Sequence, residues 1–201
     1  MKRAALAVLL LASPASADVD WEKGLVTADG VGVADRHAPN PAVARGTSRR
    51  GAEDAAKKQL AEAVAALPLA AGGKVGDKAK DKAVAARLAA AVDHALTVTA
   101  EPETDGAWRV TLAVPVEAVR QAIAGAPRTL PAGGDKDPPL TILDGVGGKP
   151  AVGALDAATV WVKDVPAWAK DAPHAAGTRG KDGRIEGITA SPATLYVIVT
   201  K

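Results

Sequence analysis

The stretch from Asn40 to Leu67, NPAVARGTSRRGAEDAAKKQLAEAVAAL, constrains this chain more than any other. Asn40 is a favoured N-cap, Pro41 suits a first turn where its missing N–H has no intrahelical acceptor, and alanine is the best helix former. On a helical wheel Ala52, Ala56, Leu60, Ala63, Val64 and Leu67 share one arc, with Arg50, Asp54, Lys58 and Glu62 opposite. The stretch reads as an amphipathic helix with one buried face, and the remaining chain must supply the surface that buries it. Glu53 with Lys57 and Asp54 with Lys58 are favourably ordered i,i+4 pairs, which Arg49–Glu53 and Arg50–Asp54 extend into an exposed charge ladder. Gly46 and Gly51 each disfavour the helix by about 1 kcal/mol relative to alanine, so irregular first turns and a regular helix from Ala52 onward are expected. The wheel also turns Arg45 and Arg49 toward the apolar arc, where a cation needs a partner or a way out. Either both side chains snorkel to solvent, or they pair with a carboxylate such as Asp35. Exposed beside Asp35 and His37, they would make that corner a contact surface.

Upstream, VDWEKGLVTADGVGVA spreads β-branched residues among glycines, predicting one strand or two, with Gly30 and Gly32 marking a bend or a close backbone approach. Downstream, Pro68 ends the helix, and a second helix is expected from Asp77 to Ala95 with Val84, Leu88, Ala91, Val92 and Ala95 on one face. The period then changes to two. LTVTAEP and WRVTLAVPV flank ETDG, whose Asp105-Gly106 is a hairpin signal. Pro115 closes that strand and opens a short helix with Val116, Val119 and Ile123 inward. A Pro- and Gly-rich linker, 127–138, leads to LTIL, ATVWVKDV and TLYVIVT; the last is apolar on both faces, as a buried strand would be. The expected fold class is α+β: a long amphipathic helix and a second helix packed on a small, mainly antiparallel sheet in 18–126, with a β-rich C-terminal extension, 139–201, that either stands alone or packs on the same core.

The first residues, MKRAALAVLLLASPASA, have a basic start, an apolar run too short to span a bilayer, and small residues before a cut expected after Ala17. This is the layout of a signal peptide over 1–17, which places the mature chain in the periplasm or outside the cell, without a transmembrane segment. Lys2 and Arg3 lie in that leader, so its removal brings the 25 basic residues to parity with the 23 acidic ones, which argues against nucleic acid as a partner. The chain has no cysteine and no phenylalanine. A disulfide framework and a lipidated cysteine are therefore both ruled out, and large apolar volume has to come from Val, Leu, Ile and Trp21, Trp108, Trp161 and Trp168, which are expected to anchor the packing.

Chemistry-bearing patterns are sparse. His37, His94 and His174 stand far apart with no second His or Cys at ligand spacing, so no metal site is expected; His94 falls at a helix C-terminus, where positive charge is favoured. No Gly-Lys pair has a glycine five positions before it, and GVGVAD leads into a proline-containing loop, so neither phosphate-loop nor dinucleotide fingerprints are met. Ser48 and Ser191, the serines beyond the leader, sit in neither G-x-S-x-G nor S-x-x-K. No catalytic residue, cofactor or metal is predicted.

The run RRGAEDAAKKQLAEAV, preceded by GLVTADGVGVAD and followed by a helix and the hairpin bearing VTLAVPVEAV, resembles the LPP-twenty-like family of bacterial envelope lipoproteins, which includes flagellum-associated outer-membrane lipoproteins. The resemblance covers about Trp21 to Ala124. It implies a compact α+β domain with the long helix across a sheet, and an envelope or surface-structure role without catalysis. Many members carry a lipidated cysteine that this chain lacks, which points to a soluble periplasmic or secreted form. The expected function is a non-enzymatic envelope docking or assembly factor whose partner is another envelope protein. The alternative is a small-ligand or cell-wall-binding module using Trp161 and Trp168. The candidate contact residues are Arg45, Arg49, Trp161 and Trp168.

Overall fold

The computed structural model describes residues 17–104, 106–125 and 138–200 and has the α+β architecture expected. The leader up to residue 16, Asp105 of the hairpin turn and the linker through residue 137 lie outside the described residues. Strands β1 (Ala17–Asp20), β2 (Leu25–Gly32), β3 (Leu96–Pro102) and β4 (Trp108–Pro115) form an antiparallel sheet in the order β1-β2-β4-β3. Helix α1 (Pro41–Ala66) packs on it.

α1 starts where the sequence places it. The Asn40 side chain accepts from the N–H groups of Ala42 and Val43 at 3.0 and 2.9 Å. Contrary to the expected irregularity, the helix runs unbroken through Gly46 and Gly51. The cap and the burial of Ser48 and Ala52 against β2 outweigh the glycine propensities. The buried stripe is Ser48, Ala52, Ala56, Leu60 and Val64, spaced by four residues. Because a helix advances about 100° per residue, such a stripe winds about 40° at each step, so the contact turns gradually around the helix. Its first half is made of small residues because β2 presents glycine there. A Cβ at Gly30 would lie 2.0 Å from the Ala52 carbonyl oxygen, and one at Gly32 would lie 1.8 Å from that of Ser48. Ser48, buried to 1% exposure, donates from Oγ to the Gly32 carbonyl at 2.6 Å.

The single second helix expected over 77–95 is two. α2 (Val75–Lys78) is one short turn in which the Asp77 carboxylate accepts from the Lys74 N–H, and Asp81 then caps α3 (Lys82–Asp93) by accepting from Ala83 and Val84. The charged run at 77–82 supplies caps, and each carboxylate starts a helix of its own. α3 buries Val84, Leu88 and Val92. α4 (Val116–Ala124) follows β4 directly, buries Val116, Val119 and Ala122, and ends at Gly125 with φ +69.

The C-terminal part holds a second, parallel sheet of β5 (Leu140–Asp144), β6 (Ala158–Val162), β7 (His174–Ala176) and β10 (Leu195–Val199), ordered β6-β10-β5-β7. A small ribbon of β8 (Thr178–Arg179) and β9 (Ile185–Glu186) lies between β7 and β10 in the chain. β10 is central and fully covered at Val197 and Ile198, as its two-sided apolar character predicts. This sheet packs on the first layer. Val152 belongs to the α1 core and exchanges backbone bonds with Pro68 and Ala70, both at 2.9 Å, and Trp161 N–H donates to the Trp21 carbonyl at 2.9 Å. Arg120 of α4, whose side chain is only 12% exposed, pairs bidentately with Glu117 and reaches Asp156 at 2.7 Å. The hydrogen bonds it donates to Glu117 raise its already high pKa further, so it stays charged at any working pH.

Candidate functional site

The residues singled out in the sequence do not converge. Arg45 is exposed and lines an open hollow of about 520 Å³ with Asp35, Arg36, Asn40 and Pro41 at the start of α1. Arg49 is also exposed. Its Nε donates to Glu53 at 3.0 Å, and its guanidinium lies 5.4 Å from the centre of the Trp108 ring. Neither arginine pairs with Asp35 in the described structure, where the Asp35 carboxylate accepts from the His37 N–H. The charge ladder expected along α1 is reduced to Arg49–Glu53, while Lys57 reaches Asp93 at the end of α3 at 3.7 Å.

Trp161 and Trp168 do not form a shared binding face. Trp161 is 2% exposed, packed among Leu143, Ile185, Tyr196 and Ile198, with the Arg179 guanidinium 5.6 Å from its ring centre. A side chain so enclosed cannot stack on an outside ligand, and the pairing on which the wall-binding alternative rested is lost. Trp168 departs in the other direction. It stands on a 3-10 turn, Ala167–Ala169, at 56% exposure, because the turn directs Ala169 into the core instead; the expectation that all four tryptophans anchor the packing fails there.

Among the described residues one histidine pairs with a carboxylate. His174 opens β7 with Nδ1 2.5 Å from the Asp144 carboxylate at the end of β5; both side chains are half exposed. Of the two serines, Ser48 is buried on Gly32, and the Ser191 N–H donates to the Tyr196 hydroxyl. No hydrogen bond to a histidine is seen from either among the described residues. No group of three or more His, Asp or Glu that could hold a metal ion occurs among them.

The surface feature with the most physical content is one the sequence reading missed. α3 and α4 run antiparallel: Arg87 meets Ala122 at one end, and Leu96 lies opposite Ala113, beside Pro115, at the other. Between them opens a groove of about 300 Å³, floored by Ala90, Ala91, Ala118 and Ala122 and closed at its ends by Arg87 and Leu96. It exists because both helices turn their larger apolar residues toward the core and meet each other through alanine. Leu96 at 57% and Val98 at 55% exposure continue it along β3. This is a large apolar surface for a strand that ends a sheet.

That strand is poorly suited to pair with another. Its register shifts between Thr97 and Thr99, leaving Val98 in the irregularity, and it ends in Glu101 and Pro102. A bulge, a charge and a proline are the devices that block strand addition at an edge. Contacts here must therefore be made by side chains in the groove. The sequence signal was present in the alanines at 90, 91 and 118, but alanine is so frequent in this chain that they did not stand out. No protein-family model matches the chain, and no curated protein matches it.

Proposed function

We propose that this chain is an exported, non-enzymatic cell-envelope protein that docks on another envelope protein, in keeping with its resemblance to the LPP-twenty-like family. The observation that carries this reading is the open alanine-floored groove between α3 and α4, continued by the exposed Leu96 and Val98. Exposed large apolar side chains beside a concave apolar surface are the ordinary composition of a protein-binding patch. Strand addition is disfavoured at the adjoining edge, which leaves a helix or a side-chain cluster of the partner as the inserted element. No helix among the described residues is long and apolar enough to cross a membrane.

The reading is tested in cells by placing a photo-crosslinking residue at Leu96 or Val98 and, as a control, at exposed Lys181. Crosslinks from the first two positions to an envelope protein, with none from the control, are expected. Equal labelling from all three, or retention of the protein in the cytoplasmic fraction, would overturn it.

A further inference from the structure

The chemistry of the groove specifies its occupant. Arg87 is half-buried at one end, and its Nε donates to the Ala122 carbonyl at 2.6 Å, which fixes the guanidinium across the gap between the helices. Among the described residues no carboxylate pairs with it. A half-buried guanidinium with free Nη donors and a fixed orientation is prepared for a carboxylate, which it can grip through two parallel bonds. Beyond it the groove is lined by Ala90, Ala91, Ala118 and Ala122, with Pro115, Gln121 and His94 beside them, over the seven residues of helix from Arg87 to His94, about 10 Å. Leu96 closes the far end. The site thus has an anion-binding end and an apolar trough.

We infer that the groove receives an amphipathic helix of a partner polypeptide, which seats a large apolar side chain on the alanine floor and a carboxylate on Arg87. This rests on the docking reading and names the partner's chemistry. Ala90, His94 and Leu96 are exposed, so the trough is open along its side. A small-molecule site instead encloses most of its ligand, and an open trough of this length suits a helix with its apolar and acidic residues one or two turns apart.

The test uses the full chain in solution and a synthetic helical peptide with leucine and glutamate seven positions apart, followed by amide chemical shifts. Saturable shifts confined to residues 87–96 and 115–122 are expected. Exchanging the peptide's glutamate for glutamine, or making Arg87→Gln in the protein, should weaken binding about tenfold, the scale of one charge-assisted hydrogen bond. Ala90→Leu, which fills the trough from an exposed position without touching the ion pair, should abolish binding and leave the melting temperature nearly unchanged. It keeps the test decisive should Arg87→Gln fold poorly. Absence of saturable binding, or binding indifferent to both charge exchanges, overturns the proposal, as does Arg87-dependent binding of octanoate in place of the peptide. If crosslinking from Leu96 persists while the peptide fails, docking stands and only the partner's chemistry is overturned; if crosslinking fails as well, the docking reading falls with it.

Discussion

In the N-terminal layer α1 comes so close to β2 that side chains have been removed to let it in, leaving Gly30 and Gly32 against Ser48, Ala52 and Ala56. In the C-terminal sheet the space between strands and loops is filled instead by Leu143, Trp161, Tyr196 and Ile198 on one face and by Ile142, Val160 and Val197 on the other. The first layer depends on backbone proximity and one buried hydrogen bond, the second on apolar volume. Each is vulnerable to the kind of change the other tolerates. Enlarging a residue should damage the first, and shrinking one should damage the second.

Trp161→Ala gives the largest expected effect. Removing a fully buried indole leaves a cavity in a sheet with no helix to collapse into it, and a loss of about 3–5 kcal/mol follows. Urea denaturation measures it. A loss below about 1 kcal/mol would mean that the loops close over the gap, and the contrast between the two regions would fail.

Gly32→Ala is the counterpart. In an ordinary strand this change is favourable by about 0.5–1 kcal/mol, since alanine loses less entropy on folding. Here the added carbon would lie 1.8 Å from a helix carbonyl that also borders the Ser48 hydrogen bond, so α1 must lift. A loss of about 2–3 kcal/mol is expected, read from the same denaturation curve. Neutral behaviour would show that the helix can shift freely. Arg120→Met probes the seam between the layers. Its partners Glu117 and Asp156 are 26% and 79% exposed, so the penalty for stranding them falls well below that of a buried pair, at about 1–2 kcal/mol by thermal unfolding.

Much of the N-terminal layer could be read from the residues, because helix caps and strand alternation are local. Asn40, Pro68, Pro115 and the two strands of the hairpin stand where their chemistry puts them, and of the bend or close approach that Gly30 and Gly32 allow, the structure shows the close approach. What escaped were relations between distant residues. Ser48 reads as a polar residue on a charged helix, and its burial depends on a carbonyl sixteen positions earlier in the chain. Trp161 and Trp168 look alike in sequence, and only the turn at Ala167–Ala169 separates a core residue from a surface one. The groove was hidden for a similar reason. An alanine gives no signal until two helices place four of them side by side.

Gly46→Ala sharpens the comparison from within α1. A Cβ there meets nothing within 4 Å, in contrast to Gly32. With no clash, the unfolded-state entropy decides, and a gain of about 0.5–1 kcal/mol is expected in melting experiments. Opposite signs for Gly46→Ala and Gly32→Ala would establish that space, not propensity, sets the tolerance of this layer.

The smallest effect concerns the turn between β1 and β2, which presents the Trp21 carbonyl to Trp161 and so joins the layers. The Asp20 carboxylate accepts from the Lys23 N–H at 2.9 Å and pairs with its ammonium at 2.9 Å. The side-chain hydrogen bond from Lys23 is the main cause that lowers the Asp20 pKa in the folded state. A carboxylate depressed on folding adds stability above its unfolded value of about 3.9, and that increment fades as pH drops through the lower folded value. Asp20→Asn keeps an acceptor for the Lys23 N–H but removes the charge. The variant should therefore melt slightly below the natural chain at neutral pH, and the gap should close as pH falls through the lowered folded value of the carboxylate. A gap that persists unchanged into acid would place the effect in the geometry of the turn, which would make the seam between the layers a matter of backbone shape alone.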